Sequence, residues 1–265
     1  MRTGRRRRAP EAREILGEDF VHEPPAALIG APALSVPADA SAPPAWLDEL
    51  RLEPGPPWHS MGTRGVAGGW RPDPDPEQVA RKRAVLDAHR DDVVVLPDDR
   101  AAECGAAARF VAGAGGFVIE PPPSHSSAAS VGPLEAAARH VAEDLCILVP
   151  GASGWVLAAG IVCFPSMWRL PDKVGMPMTA VHGPVPAYAG ELAARVDRFL
   201  DRLTPDRPAW RRNWFVHDRP ELFLPPAPAS RPAPVAVPDG LWVRSERQTL
   251  IRLPDAEAIL FTIRT

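Results

Sequence analysis

The sequence predicts an α+β protein in which a mainly antiparallel sheet is flanked by helices, and three observations carry that reading. Two pairs of apolar runs, 145–149 with 155–164 and 241–253 with 258–263, are each joined by a short segment of turn residues. The segments with helical spacing are short. The chain also holds 34 prolines in 265 residues, which interrupt long helices and central strands and disfavour a helical bundle or coiled coil.

The elements follow in order. Residues 1–57 combine arginines with the Pro/Ala-rich run from Pro24 to Pro44 and lack a sustained apolar period, so they read as a largely irregular tail, with Trp46 and Leu47 as docking points. A domain then spans 58–265. Alanines with Val85, Leu86, Phe110 and Val111 predict helices over Gln78–Arg90 and Arg100–Ala112. Short β-branched or aromatic runs at Val93–Leu96 and Phe117–Glu120 predict strands. Leu134–Asp144 reads as a helix with Pro133 in its first turn.

Leu145–Val149 and Trp155–Phe164 then form a hairpin whose loop is Pro150–Gly154. Residues 165–186 hold five prolines and predict a fixed, pocket-forming loop without regular structure. Tyr188, Leu192, Val196, Phe199, Leu200 and Leu203 recur at steps of three and four, giving the strongest helix, Ala187–Thr204. A second Pro-rich stretch, Pro225–Pro238, precedes a C-terminal hairpin of Leu241–Leu253 and Ala258–Ile263 that turns at Pro254–Glu257.

Composition narrows the function classes. Only Lys82 and Lys173 are lysines among the 30 basic residues, a bias of coding rather than a binding signal, and a net charge of −3 with a pI near 6.2 argues against a nucleic-acid partner. Cys104, Cys146 and Cys163 are widely separated and lack C-x-x-C spacing, so neither a disulfide framework nor a zinc or iron–sulfur motif is written. No stretch reaches the roughly 18–20 apolar residues of a membrane span, and Arg5–Arg8 is followed by Ala-Pro-Glu rather than the apolar core of a signal peptide. A soluble, cytoplasmic protein without a membrane partner is expected.

Two glycine clusters are set aside as motifs. Gly113, Gly115 and Gly116 sit between helix-like and strand-like segments, the reverse of a phosphate-binding loop, and read as a helix stop. Gly151-Ala152-Ser153-Gly154 lacks the spacing of a hydrolase nucleophile elbow and reads as turn geometry.

What remains is unusual polar and aromatic detail. It comprises Glu143-Asp144-Leu145-Cys146, Phe164-Pro165-Ser166-Met167-Trp168, Lys173-Val174-Gly175, His182-Gly183-Pro184-Val185-Pro186, Arg212-Asn213-Trp214 and Arg244-Ser245-Glu246-Arg247-Gln248-Thr249-Leu250. In this order, from about Met61 to Thr265, the blocks resemble the haem-dependent oxidative N-demethylase family. The resemblance implies a PAS-like antiparallel sheet with flanking helices forming a haem pocket for one haem b. It also implies oxidation of a small secondary amine with O2, and electrons from a separate FMN/2Fe-2S reductase subunit that uses NAD(P)H. The chain stops soon after Phe261-Thr262-Ile263-Arg264, where relatives continue, and its start is longer and richer in proline; an incomplete pocket or interface is therefore an expectation to weigh.

Given that resemblance, His182 is the expected axial ligand of the haem iron, because Pro184 and Pro186 restrict the loop that would hold it. A histidine bonded to a neighbouring carbonyl is the alternative. His217 and Cys163 are the competing ligands, although His217 equally fits a surface residue and Cys163 a buried small hydrophobe. Lys173, Arg212 and Trp168 complete the expected cofactor-binding set, the cations pairing with haem propionates.

On a strand, Arg244, Glu246 and Gln248 share one face and Arg247 points to the other. Glu246 with Arg244 is the expected catalytic pair, the glutamate holding a protonated amine. A cross-strand ion-pair ladder on a solvated face is the competing reading. The expected activity is haem-dependent oxidative N-demethylation, and a haem-based sensor or haem-carrying protein without turnover is the rival from another class.

Overall fold

The computed structural model describes residues 62–119, 131–183, 191–226 and 240–265. The expected N-terminal tail, Tyr188, the prolines Pro184 and Pro186, and most of the Pro225–Pro238 stretch lie outside the described residues.

In chain order the elements are β1 (Arg64–Gly65), α1 (Pro76–Val93), β2 (Val94–Val95), α2 (Ala101–Gly115) and α3 (Pro133–Ala138). They continue with β3 (Asp144–Gly151), β4 (Gly154–Ile161), α4 (Met178–Val181), α5 (Glu191–Asp201), β5 (Ala209–His217), β6 (Trp242–Arg252) and β7 (Ile259–Arg264). Among the described residues the strands make one seven-stranded sheet in the order β1-β5-β6-β7-β3-β4-β2. Every ladder in it is antiparallel.

The expected α+β class is therefore present, with both hairpins. β7 returns beside β3, joining the first hairpin to the last three strands. Asp75 starts α1 by accepting hydrogen bonds from the amides of Glu77 and Gln78 at 3.0 and 3.3 Å, with Pro76 in the first turn. Gly116 ends α2 at φ +69°, a left-handed conformation that glycine adopts without a Cβ penalty, so the glycine cluster is the helix stop that was expected.

Side chains alternate across the sheet, and each face has its own core. Leu145, Ile147, Ile161, Ile251 and Leu260 pack with Leu86 of α1, Val111 of α2 and Leu134 of α3. On the opposite face, Cys146, Leu148, Leu250 and Ile259 pack with Val181 of α4 and Leu200 of α5. The first is the α2 face of the sheet and the second the α5 face.

Several boundaries differ from the sequence reading, each for a long-range reason. The helix expected over Leu134–Asp144 ends at Ala138, because the Ala142 amide donates to the Asp73 carbonyl and Asp144 pairs with Ile263 in the sheet. Phe117–Ile119 do not form a strand; the Phe117 ring stacks on His140 at 4.5 Å. The Val93–Leu96 strand shortens to β2, since α1 runs through Val93.

The first hairpin is tighter than expected. Pro150 pairs with Trp155 and Gly151 with Gly154, which leaves only Ala152 and Ser153 as the connection. Gly154 stands at φ +96° with the Asp197 carboxylate against the site of a Cβ, so both backbone and space call for glycine. The loop at 165–186 does hold one regular element, the single turn α4, and β1 and β5 were not foreseen.

Candidate functional site

The β5–β6 register decides which polar side chains meet. Arg211 pairs with Gln248, Asn213 with Glu246 and Phe215 with Arg244, placing these six on the α5 face. Arg212 pairs with Arg247, which in turn pairs with Arg264, and these three lie on the α2 face.

On the α5 face, Arg244 and Glu246 are both buried and joined at 3.1 Å from Nε to Oε1. Gln248 donates to the other oxygen, Oε2, at 3.1 Å. Arg244 also donates to the carbonyls of Leu222 and Phe164. The expected face-sharing of Arg244, Glu246 and Gln248 is what the strand shows. It is a buried hydrogen-bonded pair rather than a ladder on a solvated face.

His182 follows α4. Its Nδ1 lies 2.9 Å from the Met178 carbonyl, and because a carbonyl only accepts, Nδ1 carries the proton and the ring lone pair is on Nε2. Burial holds the imidazole below its usual range, helped by the Lys173 and Arg211 cations. It is therefore neutral at pH 7. Lys173 donates to the carbonyl of Val181 at 3.1 Å and sits 4.6 Å over the Trp168 ring, so Lys173, Trp168 and His182 form one cluster. Burial also lowers the Lys173 ammonium.

The remaining expected residues lie elsewhere. Arg212 donates to Ser245 Oγ at 3.0 Å on the face away from His182. The arginine on the His182 side is Arg211, its sequence neighbour, which a period-two count along β5 would have picked had that strand been recognised. His217 Nε2 shares a 3.1 Å hydrogen bond with Ser166 Oγ, and burial followed by the Arg244 charge lowers its pKa. Cys163 is fully buried in the α2-face core, where burial pushes its thiol upward and disfavours the thiolate.

A cleft of about 510 Å³ opens at the end of the sheet where β6 runs past β7. Its walls include Trp70, Leu222, Trp242 and Val243, and six arginines line it: Arg71, Arg212, Arg219, Arg244, Arg247 and Arg264. His217 lines it as well. Three polar atoms on residues of this lining are buried without a hydrogen-bond partner: Glu143 Oε2, Thr262 Oγ1 and Arg247 Nε. Sequence reasoning gave Thr262 no role and placed Arg247 only on the face opposite Glu246; the register brings both beside the cleft.

The strand order, the two helix layers and this cleft define an α+β sheet protein with a buried polar cluster on one face and an arginine-lined cleft at its edge. A family model described as haem-dependent oxidative N-demethylase, alpha subunit-like, matches residues 116–265. The matched span is more than half of the chain, and the chain belongs to this family. The match starts later than the resemblance expected from about Met61.

The haem dependence carried by the family can be tested against these side chains. A neutral histidine whose Nδ1 donates to a carbonyl carries its lone pair on Nε2, the tautomer in which imidazole ligates iron. Arg211 and Lys173 supply positive charge near it. In tautomer and charge, these side chains suit the ligand and propionate partners that a haem requires. Among the described residues no helix is long and apolar enough to cross a membrane.

Proposed function

We propose that the protein is the haem-carrying component of an oxidative N-demethylase acting on a small secondary amine. The observation that carries this is the His182–Met178 hydrogen bond, which fixes a neutral ring in the ligating tautomer within a chain of this family. The haem b would be held on the α5 face with His182 Nε2 toward iron, His217 being the competing ligand. Lys173 and Arg211 would face the propionates and Trp168 would form a wall. A PAS-like reading is supported by the topology, in which a hairpin, a helical excursion and a three-strand meander close into one antiparallel sheet.

When bound, haem supplies the oxygen and one-electron chemistry by which a methyl group leaves as formaldehyde. The chain's own residues bind and orient. Each carboxylate oxygen has two acceptor sites, so Glu246 can take an ammonium N–H while Arg244 and Gln248 occupy its other positions. The guanidinium of Arg244, tied to two main-chain carbonyls, holds that carboxylate in place and excludes water from it. O2 and electrons from a separate FMN/2Fe-2S reductase using NAD(P)H complete the reading.

The test is the absorption spectrum of purified protein titrated with haem, followed by turnover of dimethylamine with a supplied reductant. A Soret band saturating at one haem per chain and formaldehyde release are expected. A folded protein that stays colourless would sink the reading, and haem binding without turnover would favour the sensor or haem-carrier alternative.

A further inference from the structure

We propose that the cleft at the sheet end is a carboxylate-binding site in which Arg247, Thr262 and Glu143 hold the anion. The three anion-holding residues lie on the α2 face, although Arg244 and His217 also reach the cleft, and the proposal does not rest on the haem reading.

Three observations converge. First, Glu143 and Thr262 are 4% and 1% exposed, and each has a buried side-chain oxygen without a partner. Such an atom carries a desolvation penalty that a bound group of complementary polarity removes. Glu143 is already held from one side, its Oε1 accepting from the Asp73 amide at 2.8 Å, so only Oε2 is left to meet a ligand.

Second, Arg247 stands between Arg212 and Arg264 on three neighbouring strands. Like charges directly opposite across strands repel, and the arrangement is stabilised by an anion between them. Arg264 is neutralised by Asp73 and Asp75 at 2.8 and 3.0 Å. Arg247 instead lies over the Trp210 ring at 4.6 Å, with its Nε unpartnered. A stacked guanidinium whose buried Nε lacks a partner is suited to the planar, two-oxygen geometry of a carboxylate.

Third, the donors match one another. Thr262 offers a hydroxyl, and burial pushes the Glu143 carboxyl up, so that its protonated form can donate from Oε2. An anion would then accept from a guanidinium, a hydroxyl and a carboxylic acid. Six arginines against three acids, Asp73, Glu143 and Glu221, leave the lining net positive, which disfavours a cationic amine. The apolar walls, Trp70, Leu222, Trp242 and Val243, favour a carboxylic acid with a hydrocarbon body.

Two sources of carboxylate fit this chemistry, a free organic acid and a propionate of a haem seated in the cleft instead of on the α5 face, and the experiment separates them. Benzoate, benzamide and benzylammonium are titrated into the full chain by tryptophan fluorescence, since Trp70 and Trp242 line the cleft. Benzoate is expected to saturate and the other two not to. Arg247→Met is expected to weaken benzoate binding about 10- to 100-fold, the loss of one charge-assisted contact. Thr262→Val, a near-isosteric change, should weaken it less, and thermal melts of both variants exclude misfolding.

In parallel, haem and its dimethyl ester are compared. A preference for free propionates that disappears in Arg247→Met would make haem the source of the carboxylate, would still support the site, and would move the haem from the α5 face to the cleft. Equal binding of benzoate and benzamide, or equal benzoate affinity in wild type and folded Arg247→Met together with no propionate preference at Arg247, overturns it. A protein that binds benzoate but stays colourless with haem would leave this site standing and remove only the haem reading.

Discussion

Lys82 Nζ lies 3.9 Å from Asp144 Oδ1, and neither side chain is exposed to solvent. Nζ also donates to the Glu143 carbonyl, while Asp144 accepts from the amides of Cys163 and Phe164 at 2.9 and 2.8 Å. Burial pushes the Asp144 carboxyl up, and Lys82 and the two amides work against that shift. One lysine thus ties α1 to the start of β3 and to the segment leading to Ser166 and Trp168.

Removing one partner of such a pair leaves the other charge buried. Lys82→Met is therefore expected to cost about 3–5 kcal/mol in urea unfolding. The same change at Lys173, which is half-buried, should cost much less. If the two variants lose equal stability, the pair is not the pin described here.

The three cysteines are buried, and burial raises all of their thiols, Cys104 to about 11 and Cys146 and Cys163 further. The thiolate is the reactive form, so a thiol reagent at pH 8 should label none of them until the chain unfolds. Fast labelling of Cys163 in native protein would reopen thiolate ligation. The same shift predicts a reduced carbon monoxide spectrum of the imidazole-ligated type.

The fold was legible where local pattern and burial agree. The hairpins at 145–161 and 242–264 alternate or run apolar because both of their faces are covered, and Gly116 marks a helix end by backbone geometry alone. Strand β5 was not legible. Its sequence, Ala-Trp-Arg-Arg-Asn-Trp-Phe-Val-His, mixes arginines with aromatics because one edge of the sheet carries the polar clusters on both faces. That omission exchanged Arg211 for Arg212 beside His182. The Arg244–Glu246 relation survived because it needs only a two-residue period.

Ligand choice between the two histidines follows from their hydrogen bonds. His182→Ala is expected to abolish or strongly alter the Soret band of the haem-loaded protein. His217→Ala, which removes the hydrogen bond to Ser166 Oγ, should leave it nearly intact. The opposite result in the two spectra would transfer the iron to His217 and the arginine-lined cleft.

Glu246→Gln keeps the shape of the side chain and removes its charge. Haem content should persist, while affinity for dimethylamine, read from difference spectra, should fall roughly 10- to 100-fold, as expected for losing a charge-assisted hydrogen bond. The variant also weakens the bond from Arg244 Nε, so some stability loss is expected. Unchanged amine affinity would leave Glu246 as a positioning residue for Arg244 alone.

Glu143 makes stability depend on pH in a direction opposite to that of an ordinary paired carboxylate. Its folded pKa is raised above the usual 4.5, chiefly by burial, with the Asp73 amide pulling the other way. Between the unfolded and folded values the native state keeps a proton that the unfolded chain has released, so stability falls as pH rises through that window. The contribution is fully present below about 4.5 and lost above the folded pKa, at about 1.4 kcal/mol for each pK unit of separation. Asp144 shifts in the same direction, so the wild-type profile alone mixes two groups. Glu143→Gln, which keeps the acceptor for the Asp73 amide and cannot ionise, isolates one of them. Urea unfolding across pH 4–8 should show the variant gaining stability relative to wild type as pH rises, and parallel profiles would mean that Glu143 ionises normally and does not serve as the neutral donor of the cleft.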